Sequence, residues 1–232
     1  MAKLSVVFPV FQEMENSLFW SSLGNLTSMT DVQIVVVDGG SSDGTTTRLN
    51  ELGIGFVTMN DSNRAMRMSK GIEYCEGDWI VLNHPRSEIE PDGIRFVTDD
   101  RMPTNWGAFT HVFDCSSLGL RFTSWYSNRI RLRLRSIAYL DHGIVCRSDL
   151  LKKTRIPPVD IFEDTYLSRE LRQHGKPHLI PFESTTSAIR FSRNGFLKQA
   201  IMNQWMKIQF LVGADNKKMN AIYEKGLDLN RD

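Results

Sequence analysis

The sequence predicts an α/β protein whose mostly parallel, open sheet is flanked by helices. Strand-like and helix-like segments alternate through the first half of the chain. The segment VQIVVVD, residues 32–38, is a continuous apolar run without alternation, as in a strand covered on both faces. The 232 residues contain no internal repeat and no Gly/Ser linker. We therefore expect a single compact domain.

Each predicted element follows from its own pattern. Strands are expected at 4–8, where an apolar β-branched run meets Pro9, and at 32–38, 54–58, 79–82, 106–113 and 143–146. Helices are expected at 14–28, shortly after 44, and at 63–75, 163–174 and 196–212. Strand and helix in this order imply right-handed βαβ units. Ligands of such sheets bind beyond the carboxyl ends of the strands.

Composition excludes several classes of protein. The formal charge of +1 gives no reason to expect nucleic acid as a partner. The three cysteines, Cys75, Cys115 and Cys146, stand far apart, which favours reduced thiols over a disulfide framework or a zinc site. Pro9 interrupts the N-terminal apolar run, no signal cleavage site follows it, and no run is long enough to span a bilayer. We expect a cytoplasmic protein.

Two short motifs place acidic residues at the boundary of a predicted strand or helix. In VVVDGGSSDGT, Asp38 is the last residue of a predicted strand, and Gly39 allows close approach of a ligand to the backbone. The alternative is an Asp/Gly turn that only caps the next helix. In IFEDTYLSREL, Glu163 and Asp164 begin a helical pattern, where the macrodipole alone favours acids. The functional alternative is a general base.

Four motifs in order carry a resemblance: SVVFPVFQEMEN, IVVVDGGSSDGT, NRAMRMSKGIEYCEGDWIVLNH and FEDTYLSREL. Together they resemble a family 2 glycosyltransferase of the GT-A fold, the nucleotide-diphospho-sugar transferase fold. The similarity is closest to the short soluble bacterial branch found near radical-SAM proteins, and it runs from about residue 4 to 223. It implies a nucleotide-binding half over about 1–100, an acceptor-side half over about 101–215, and a C-terminal tail at 216–232.

The resemblance also implies roles for particular residues. The donor would be a nucleotide-diphosphate sugar, with Asp38 recognising the base and Pro9, Glu13 and Gly39 lining the same pocket. A helix passing near the diphosphate carries Arg64, Arg67 and Lys70. Asp164 corresponds to the catalytic base of an inverting enzyme, with Glu163 beside it. Asp141 matches an acid on the acceptor side. The acceptor itself stays open among a lipid-linked saccharide, a small molecule and a protein.

Residues 84–86 depart from the family pattern. Relatives hold a divalent metal, Mg²⁺ or Mn²⁺, with an acid-x-acid element after the fourth strand, or with a His-Ala-Asp version of it. This chain has His84, Pro85 and Arg86, and a guanidinium cannot ligate a metal. Three alternatives stay open: Arg86 replaces the metal at the diphosphate, donor chemistry has been lost, or Arg86 turns outward to pair with Glu88 or Glu90. The departure disfavours a metal.

Other function classes are weighed against the enzyme. A nucleotide-binding or scaffold protein could keep the fold without turnover, which the loss of the acid at position 86 favours. The retention of Asp38 and Asp164 favours a glycosyltransferase. A nucleotidyltransferase would carry a glycine-rich basic loop after the first strand, and PVFQEMEN lacks one.

Two amphipathic stretches complete the chain. RFTSWYSNRIRLRLRS alternates like a strand, but a helix would align Tyr126, Ile130, Leu134 and Ile137 in one stripe, and the resemblance favours the helix. Its arginines could face solvent, an anionic membrane surface at the inner face of the membrane, or a phosphorylated acceptor. In 196–212, an apolar stripe indicates core or a partner interface, with peripheral membrane contact as the alternative. The stripe contains Leu197, Ile201, Trp205, Ile208 and Val212.

Overall fold

The structure is a computed structural model and describes residues 2–224. Its centre is an eight-stranded sheet. The strands are β1 (Leu4–Val10), β2 (Val32–Asp38), β3 (Phe56–Thr58), β4 (Trp79–Leu82), β5 (Ser87–Ile89), β6 (Trp106–Phe113), β7 (Ile144–Arg147) and β8 (His178–Thr186). All six predicted strands are present, and β5 and β8 were not predicted.

The strand order is β3-β2-β1-β4-β7-β6-β8-β5. The pairs among β3, β2, β1 and β4 are parallel, as predicted for the first half of the chain. β7 lies antiparallel to β4 and β6, β6 is parallel to β8, and β5 is antiparallel to β8. The single α/β domain is confirmed, with a sheet that is parallel in its first half and mixed in its second.

Helices cover both faces of this sheet. They are α1 (Ser17–Thr27), α2 (Thr45–Glu51), α3 (Arg64–Glu73), α4 (Pro91–Thr98), α5 (Leu118–Tyr126), α6 (Ser148–Leu151), α7 (Glu163–Leu171), α8 (Ile189–Asn194), α9 (Phe196–Leu211) and α10 (Asn216–Glu224). A π-helical segment, Ser127–Leu134, continues α5, and short 3₁₀ turns occupy Leu140–His142 and Arg172–His174. None of the helices within residues 2–224 has the length and apolar composition that a membrane-spanning segment needs.

Strand β1 lies between two hydrophobic layers. Val7 packs into the layer that contains Met68 and Ile72 of α3, whereas Phe8 packs into the layer that contains Phe19 and Leu23 of α1. Every residue of β1 is buried. Because both faces are covered, the strand shows no alternation of apolar and polar residues.

Pro9 lies inside β1, whereas the sequence predicted that the strand would end there. The carbonyl of Val7 accepts a hydrogen bond from the Asn83 N–H, while that of Val10 accepts from Gly39 on the opposite side. Pro9 therefore faces the side of β4, and β4 already ends at Leu82. The missing N–H of Pro9 costs no ladder hydrogen bond, which is why the strand can continue.

Strand β8 was missed because its sequence carries contrary local signals. HLIPFESTT contains Pro181 and several polar residues, which argue against a central strand. The register between β6 and β8 shifts after Phe109, so that Thr110 pairs with Glu183 instead of Pro181. This bulge removes Pro181 from the ladder and allows the strand to lie between β6 and β5.

The basic run is helical, as the resemblance favoured, but its predicted stripe is wrong. Leu134 is 75% exposed and Leu132 is fully buried. In the π-helical segment residues five apart share a face, and Ser127 and Leu132 are accordingly both buried. The wider turn moves the apolar contact away from the position that ordinary helical spacing predicts.

Helix α9 exposes the stripe that the sequence predicted to lie in the core or a partner interface. Leu197, Ile201, Trp205, Ile208 and Val212 are between 51% and 74% exposed. The packed side consists of Gln199 and Met206, since the helix rests on a small cluster with residues of α10. The core interpretation is therefore wrong, and the stripe faces outward.

Residues 216–224, which the sequence grouped with the C-terminal tail, form α10. Asn216 anchors its start because its side-chain oxygen accepts from the Asp160 N–H and its Nδ2 donates to the Ile161 carbonyl. The rest of the predicted tail, 225–232, lies outside the described residues.

Candidate functional site

A chain of polar contacts joins residues from four parts of the sequence at the carboxyl end of the parallel strands. Glu13 follows β1, Arg64 begins α3, His84 and Arg86 follow β4, and Glu163 begins α7. Strand ends of parallel units meet at one sheet edge, which is why residues up to about 150 positions apart converge. These residues form one cluster of polar contacts at the sheet edge where the sequence predicted a ligand site, and we name this edge the crevice.

Arg64 connects α7 to the loop after β4. Its Nε is in close contact with Glu163 Oε1, and its Nη1 lies 3.1 Å from His84 Nε2. Glu163 is fully buried, and its second oxygen, Oε2, has no hydrogen-bond partner within the part of the chain that the structure describes. A buried carboxylate that is only half satisfied is typical of a functional site rather than of a structural ion pair.

His84 faces two donors at once. The Arg86 backbone N–H lies 3.0 Å from Nδ1, while Arg64 approaches Nε2. A neutral imidazole has one acceptor nitrogen, so it can satisfy only one of them. Burial, together with the positive charges of Arg64 and Arg86, lowers the pKa of His84 to about 3, although Asp141 acts in the opposite direction. The ring is therefore neutral at pH 7.

Arg86 is directed inward. Its Nε lies 3.6 Å from Glu13 Oε2, and its side chain is only 14% exposed. Glu88 instead accepts hydrogen bonds from Ser21 and Asn25. The alternative in which Arg86 turns outward to Glu88 or Glu90 is therefore wrong. Burial raises the pKa of Glu13, although the charge of Arg86 acts against this shift.

Asn16 was not predicted to belong to this site. Its Nδ2 donates to Glu13 Oε2 at 2.8 Å and to the Pro85 carbonyl at 3.0 Å, which ties the loop after β1 to the loop after β4. The same residue is the N-cap of α1 and accepts from the Phe19 N–H. The capping pattern is visible in the sequence and accounts for the asparagine, so nothing there pointed to the second role.

Asp38 is buried within its own loop. It is fully inaccessible, and its Oδ2 accepts from the N–H groups of Gly40 and Ser41 at 2.8 and 2.9 Å. Oδ1 accepts from the Ser41 hydroxyl. Both oxygens are therefore used by the turn at residues 39–41. The turn of the alternative interpretation is present, but Asp38 does not cap the next helix, because α2 begins at Thr45 and it is Asp43 that accepts from the Thr45 N–H.

Arg67 lies beneath the same loop. A Cβ on Gly39 would be 2.0 Å from Arg67 Nη1, so the glycine makes room for a guanidinium rather than for the predicted ligand. Arg67 Nη1 donates to the Ser62 carbonyl, while its buried Nε has no partner among the described residues. Burial and the charge of Arg64 lower the pKa of Arg67 to about 10, although Asp38 acts in the opposite direction.

Lys70 does not lie at the crevice. Its Nζ is 2.7 Å from Glu73 Oε2 and 5.2 Å from the centre of the Tyr74 ring, at the far end of α3. The predicted contact of Lys70 with a diphosphate is therefore wrong. Lys70 is six positions after Arg64, which at about 100° and about 1.5 Å per residue places it about 120° around the helix and about 9 Å further along it.

Asp164 is buried beside Glu163 at the start of α7. Its Oδ2 accepts from the Leu140 N–H at 3.2 Å. Burial, and the negative charge of Glu163, raise the pKa of Asp164 to about 7. Phe162, which precedes the two acids, has a φ of 67°, a left-handed conformation that is strained for a bulky residue. Such strain occurs at functional sites, where the surrounding fold imposes it.

Asp141 lies close to these groups. Its backbone carbonyl accepts from the hydroxyls of Ser184 and Thr186, which fixes its position against β8. Its charge acts on His84, Arg64 and Asp164. The structure thus brings Asp141 to the same crevice as the predicted base.

A divalent metal does not fit the residues present. Among residues 2–224, no three His, Cys, Asp or Glu side chains converge as metal ligands. Both nitrogens of His84 face N–H donors, and the guanidinium of the nearby Arg86 cannot ligate a metal. We therefore assign no catalytic step to a metal.

Comparison with known proteins places this geometry in context. A family model described as glycosyl transferase family 2 matches residues 5–95, less than half of the chain. No curated protein matches the chain significantly.

Solved structures resemble the chain over most of its length. Staphylococcus aureus TarS 1-349 in complex with UDP-GlcNAc has a TM-score of 0.65 at 13% identity, and covers 80% of this chain and 58% of its own. The Pyrobaculum calidifontis mannosyltransferase PcManGT with GDP-Man and Mn²⁺ has a TM-score of 0.57 at 17% identity, and covers 79% of this chain and 56% of its own. The Mycobacterium tuberculosis glucosyl-3-phosphoglycerate synthase with Mn²⁺, UDP-Glc and phosphoglyceric acid has a TM-score of 0.55 at 15% identity. The match covers 75% of this chain and 66% of the synthase chain.

At this level of identity the likeness shows the fold alone, and the predicted GT-A-like fold is confirmed. The chain spans less than two thirds of the length of the TarS structures that it matches.

Proposed function

We propose that this protein is an inverting glycosyltransferase that moves a sugar from a nucleotide-diphosphate donor to an acceptor hydroxyl. One observation carries the proposal: a buried carboxylate, Asp164, and a cluster of guanidinium groups occupy the same crevice of a GT-A-like sheet. The carboxylate can take a proton, and the guanidinium groups can meet the departing diphosphate. UDP-GlcNAc, UDP-Glc and GDP-Man are bound by structural neighbours, which supports a nucleotide-sugar donor.

Asp164 is proposed as the general base. Burial and Glu163 raise its pKa to about 7, so at neutral pH it combines a useful deprotonated fraction with real basicity. Asp164→Asn should abolish transfer and leave binding of nucleoside diphosphate nearly unchanged, measured by calorimetry. Equal losses of transfer and donor binding would remove Asp164 from the role of base.

His84 and Arg64 are proposed to bind the diphosphate. The Arg86 N–H fixes the tautomer of His84 that carries its proton on Nε2, and that N–H then points at Arg64 Nη1. Two donors facing each other repel, and a phosphate oxygen between them would accept from both. Diphosphate binding would thus relieve an unfavourable contact of the free protein.

Two substitutions of His84 test this arrangement. His84→Ala should weaken UDP or GDP binding by about 1.5–3 kcal/mol, because a charge-assisted hydrogen bond is lost. His84→Gln, which keeps an N–H donor, should restore part of the affinity. If both variants bind like the wild type, the histidine does not touch the diphosphate.

Arg86 is proposed to supply, together with Arg64, the positive charge that relatives obtain from a metal. Nucleoside diphosphate affinity should then be insensitive to EDTA, and Arg86→Ala should weaken it by about 1.5–3 kcal/mol. Strong activation of transfer by Mn²⁺ would contradict metal independence.

Asp38 is proposed to act by holding the loop at residues 39–41 in shape against the nucleotide, because its oxygens are used by that loop.

The rival is a nucleotide-binding or scaffold protein without turnover. The ion pair of Arg86 with Glu13 favours it, since this pair partly satisfies the guanidinium before any ligand arrives. A thermal-shift panel of nucleotides and nucleotide sugars, with and without divalent metal, followed by a donor-hydrolysis assay, separates the two. Binding without hydrolysis or transfer supports the rival. The identity of the sugar, the identity of the nucleotide base and the placement of the chain in the branch near radical-SAM proteins stay predictions.

We also propose that the protein works in the cytoplasm at the inner face of a membrane. Helix α5 exposes Leu118, Phe122 and Trp125, at 84%, 63% and 50%, in addition to the outward stripe of α9. The two helices adjoin, since a Cβ on Gly119 would lie 2.4 Å from the Phe196 ring. Segments 115–140 and 184–214 contain nine Lys or Arg and no Asp or Glu, in a chain of net charge +1. Of these cations Arg190 pairs with Glu224, which lies outside the two segments. Apolar side chains beside an excess of cations suit an anionic lipid surface.

Vesicle co-sedimentation tests this membrane contact. The protein should bind vesicles of phosphatidylcholine with phosphatidylglycerol more strongly than phosphatidylcholine alone, and F122S/W125S should bind at least tenfold less. The matched control is Leu52→Ser, a 54% exposed residue outside this surface, which should bind normally. If the wild type forms a stable dimer and F122S/W125S is monomeric, this surface instead binds a second copy of the chain.

A further inference from the structure

A cavity of about 100 Å³ lies between the π-helical segment, α7 and α9. Four of its lining side chains are cations, and no acidic residue lines it. The cations are Arg131, Arg135, Arg169 and Lys207. Aromatic rings make up much of the remaining wall.

None of these four cations forms an ion pair with a carboxylate anywhere in residues 2–224. Rings hold three of them instead: Arg131 lies 3.9 Å from the centre of the Tyr139 ring, Arg169 5.0 Å from Phe210, and Lys207 5.9 Å from Tyr126. Burial, with the charges of Arg131 and Arg135, lowers the pKa of Lys207 to about 8. Cations gathered in a partly buried space without a counter-charge produce a strong positive potential.

The cavity borders on the proposed base. Thr165, which lines it, follows Asp164 directly, and Phe162 precedes the acidic pair by one position. Tyr139 also lines it, and the next residue, Leu140, donates its N–H to Asp164 Oδ2. Asp164 does not itself line the cavity, but the Thr165 hydroxyl in the cavity wall donates to Asp164 Oδ1 at 3.4 Å. Arg64 and His84, which are proposed to bind the donor, do not line the cavity.

We propose that this cavity binds a phosphate group of the acceptor, and so delivers an acceptor hydroxyl to Asp164. The inference rests on the proposed glycosyl transfer and names the acceptor class: a hydroxyl compound that carries phosphate. Phosphate offers three strong acceptor oxygens and about two negative charges, which matches several converging Arg and Lys donors better than one carboxylate does. A lipid-linked phosphate and a small soluble phosphate share this chemistry.

Calorimetry with a small probe tests the site. Glycerol 3-phosphate should bind, glycerol should not, and the affinity should fall as salt is raised. Arg135→Gln and Arg169→Gln should each weaken binding at least tenfold. Arg95→Gln, which changes an exposed arginine on α4, should bind like the wild type. Absence of binding would overturn the proposal.

A second cavity provides an internal check. It lies between the same basic run and strands β6 and β8, and its lining includes Arg129 and Arg133. If Arg133→Gln loses the probe while Arg135→Gln keeps it, the phosphate binds in this second cavity and the proposal is wrong. Circular dichroism and thermal unfolding of each variant exclude a loss through misfolding.

Separate measurements distinguish a failure of this proposal from a failure of the proposed transferase function. UDP or GDP affinity, measured in the same variants, reports the donor site, and Arg135→Gln and Arg169→Gln should leave it unchanged. Probe binding without nucleotide binding would reject the transferase but keep the anion site, whereas nucleotide binding without probe binding would reject only this inference. Short-chain phosphatidic acid, compared with glycerol 3-phosphate, identifies the source: tighter binding of the lipid indicates a lipid-linked acceptor, and equal binding indicates a soluble phosphate.

Discussion

At the scale of single residues, the adjacent acids Glu163 and Asp164 have different environments. Glu163 is fully buried and paired with Arg64, whereas Asp164 accepts from a backbone N–H and has no arginine in direct contact among the described residues. The guanidinium of Arg64 therefore lies against Glu163 and not against Asp164. Asp164 is left with burial and a neighbouring negative charge, and both raise its pKa. Glu163 contacts Arg64, and Asp164 can exchange a proton near neutral pH.

This difference predicts the pH dependence of transfer. Because a base must be deprotonated, kcat/KM should rise with pH through an acidic limb near 7. Glu163→Gln removes the neighbouring charge and should move the limb to lower pH by about one unit. Glu170→Gln, at an exposed position of the same helix, should leave the limb in place. A limb that stays fixed in Glu163→Gln would contradict the assignment of Asp164.

At the scale of secondary-structure elements, α3 positions two arginines of the site. Its first turns carry Arg64 and Arg67, and its last turns pack on β1 and β2 through Gly71. A Cβ on Gly71 would lie 2.4 Å from Val7 Cγ1 and 3.4 Å from Val37 Cγ2. The glycine therefore sets how closely the helix approaches the sheet, and with it the position of both guanidinium groups.

Gly71→Ala should consequently lower the free energy of unfolding by about 1–3 kcal/mol, because the added methyl group overlaps Val7 in a close-packed layer. Nucleotide affinity should weaken with it as α3 moves outward. The matched control is Gly24→Ala in α1, where no atom lies within 4 Å of the added Cβ. This change should raise the stability by about 0.5–1 kcal/mol through helix propensity. Urea unfolding measures both, and equal effects would refute the packing argument.

At the scale of the whole molecule, the site has an energetic cost that depends on pH. The folded-state pKa of Asp164, about 7, lies above that of an unfolded aspartate, about 3.9. The folded protein therefore binds more protons between these values, and this group's contribution to stability is lost as pH rises through the folded pKa.

Asp164→Asn should remove this cost. Below about pH 4, where Asp164 is protonated in both the folded and the unfolded state, the variant and the wild type should have similar stability. At pH 8 the variant should be more stable, by on the order of 2 to 4 kcal/mol. Thermal unfolding across this range measures the difference. A stability difference between the two proteins that does not change with pH would show that ionising the buried carboxylate does not destabilise the fold.

Local sequence patterns predict many of the structural elements of this protein. The apolar run of β2, the order of strands and helices, and the acids at the start of α7 follow from periodicity, capping and the macrodipole, which act over a few residues. The parallel half of the sheet and the crevice at its carboxyl edge follow from those elements, because βαβ units have one hand. The sequence by itself therefore determined the fold class and most of the residues that meet at the crevice.

Tertiary structure decided the rest. Whether Asp38 faces a ligand or its own loop, whether Arg86 turns to Glu13 or outward, and whether the stripe of α9 is packed or exposed all depend on neighbours that are remote in the chain. Strand β8 depends on a bulge that only its pairing with β6 reveals. Burial and charge at a point are sums over surrounding atoms, and sequence spacing does not specify which atoms those are.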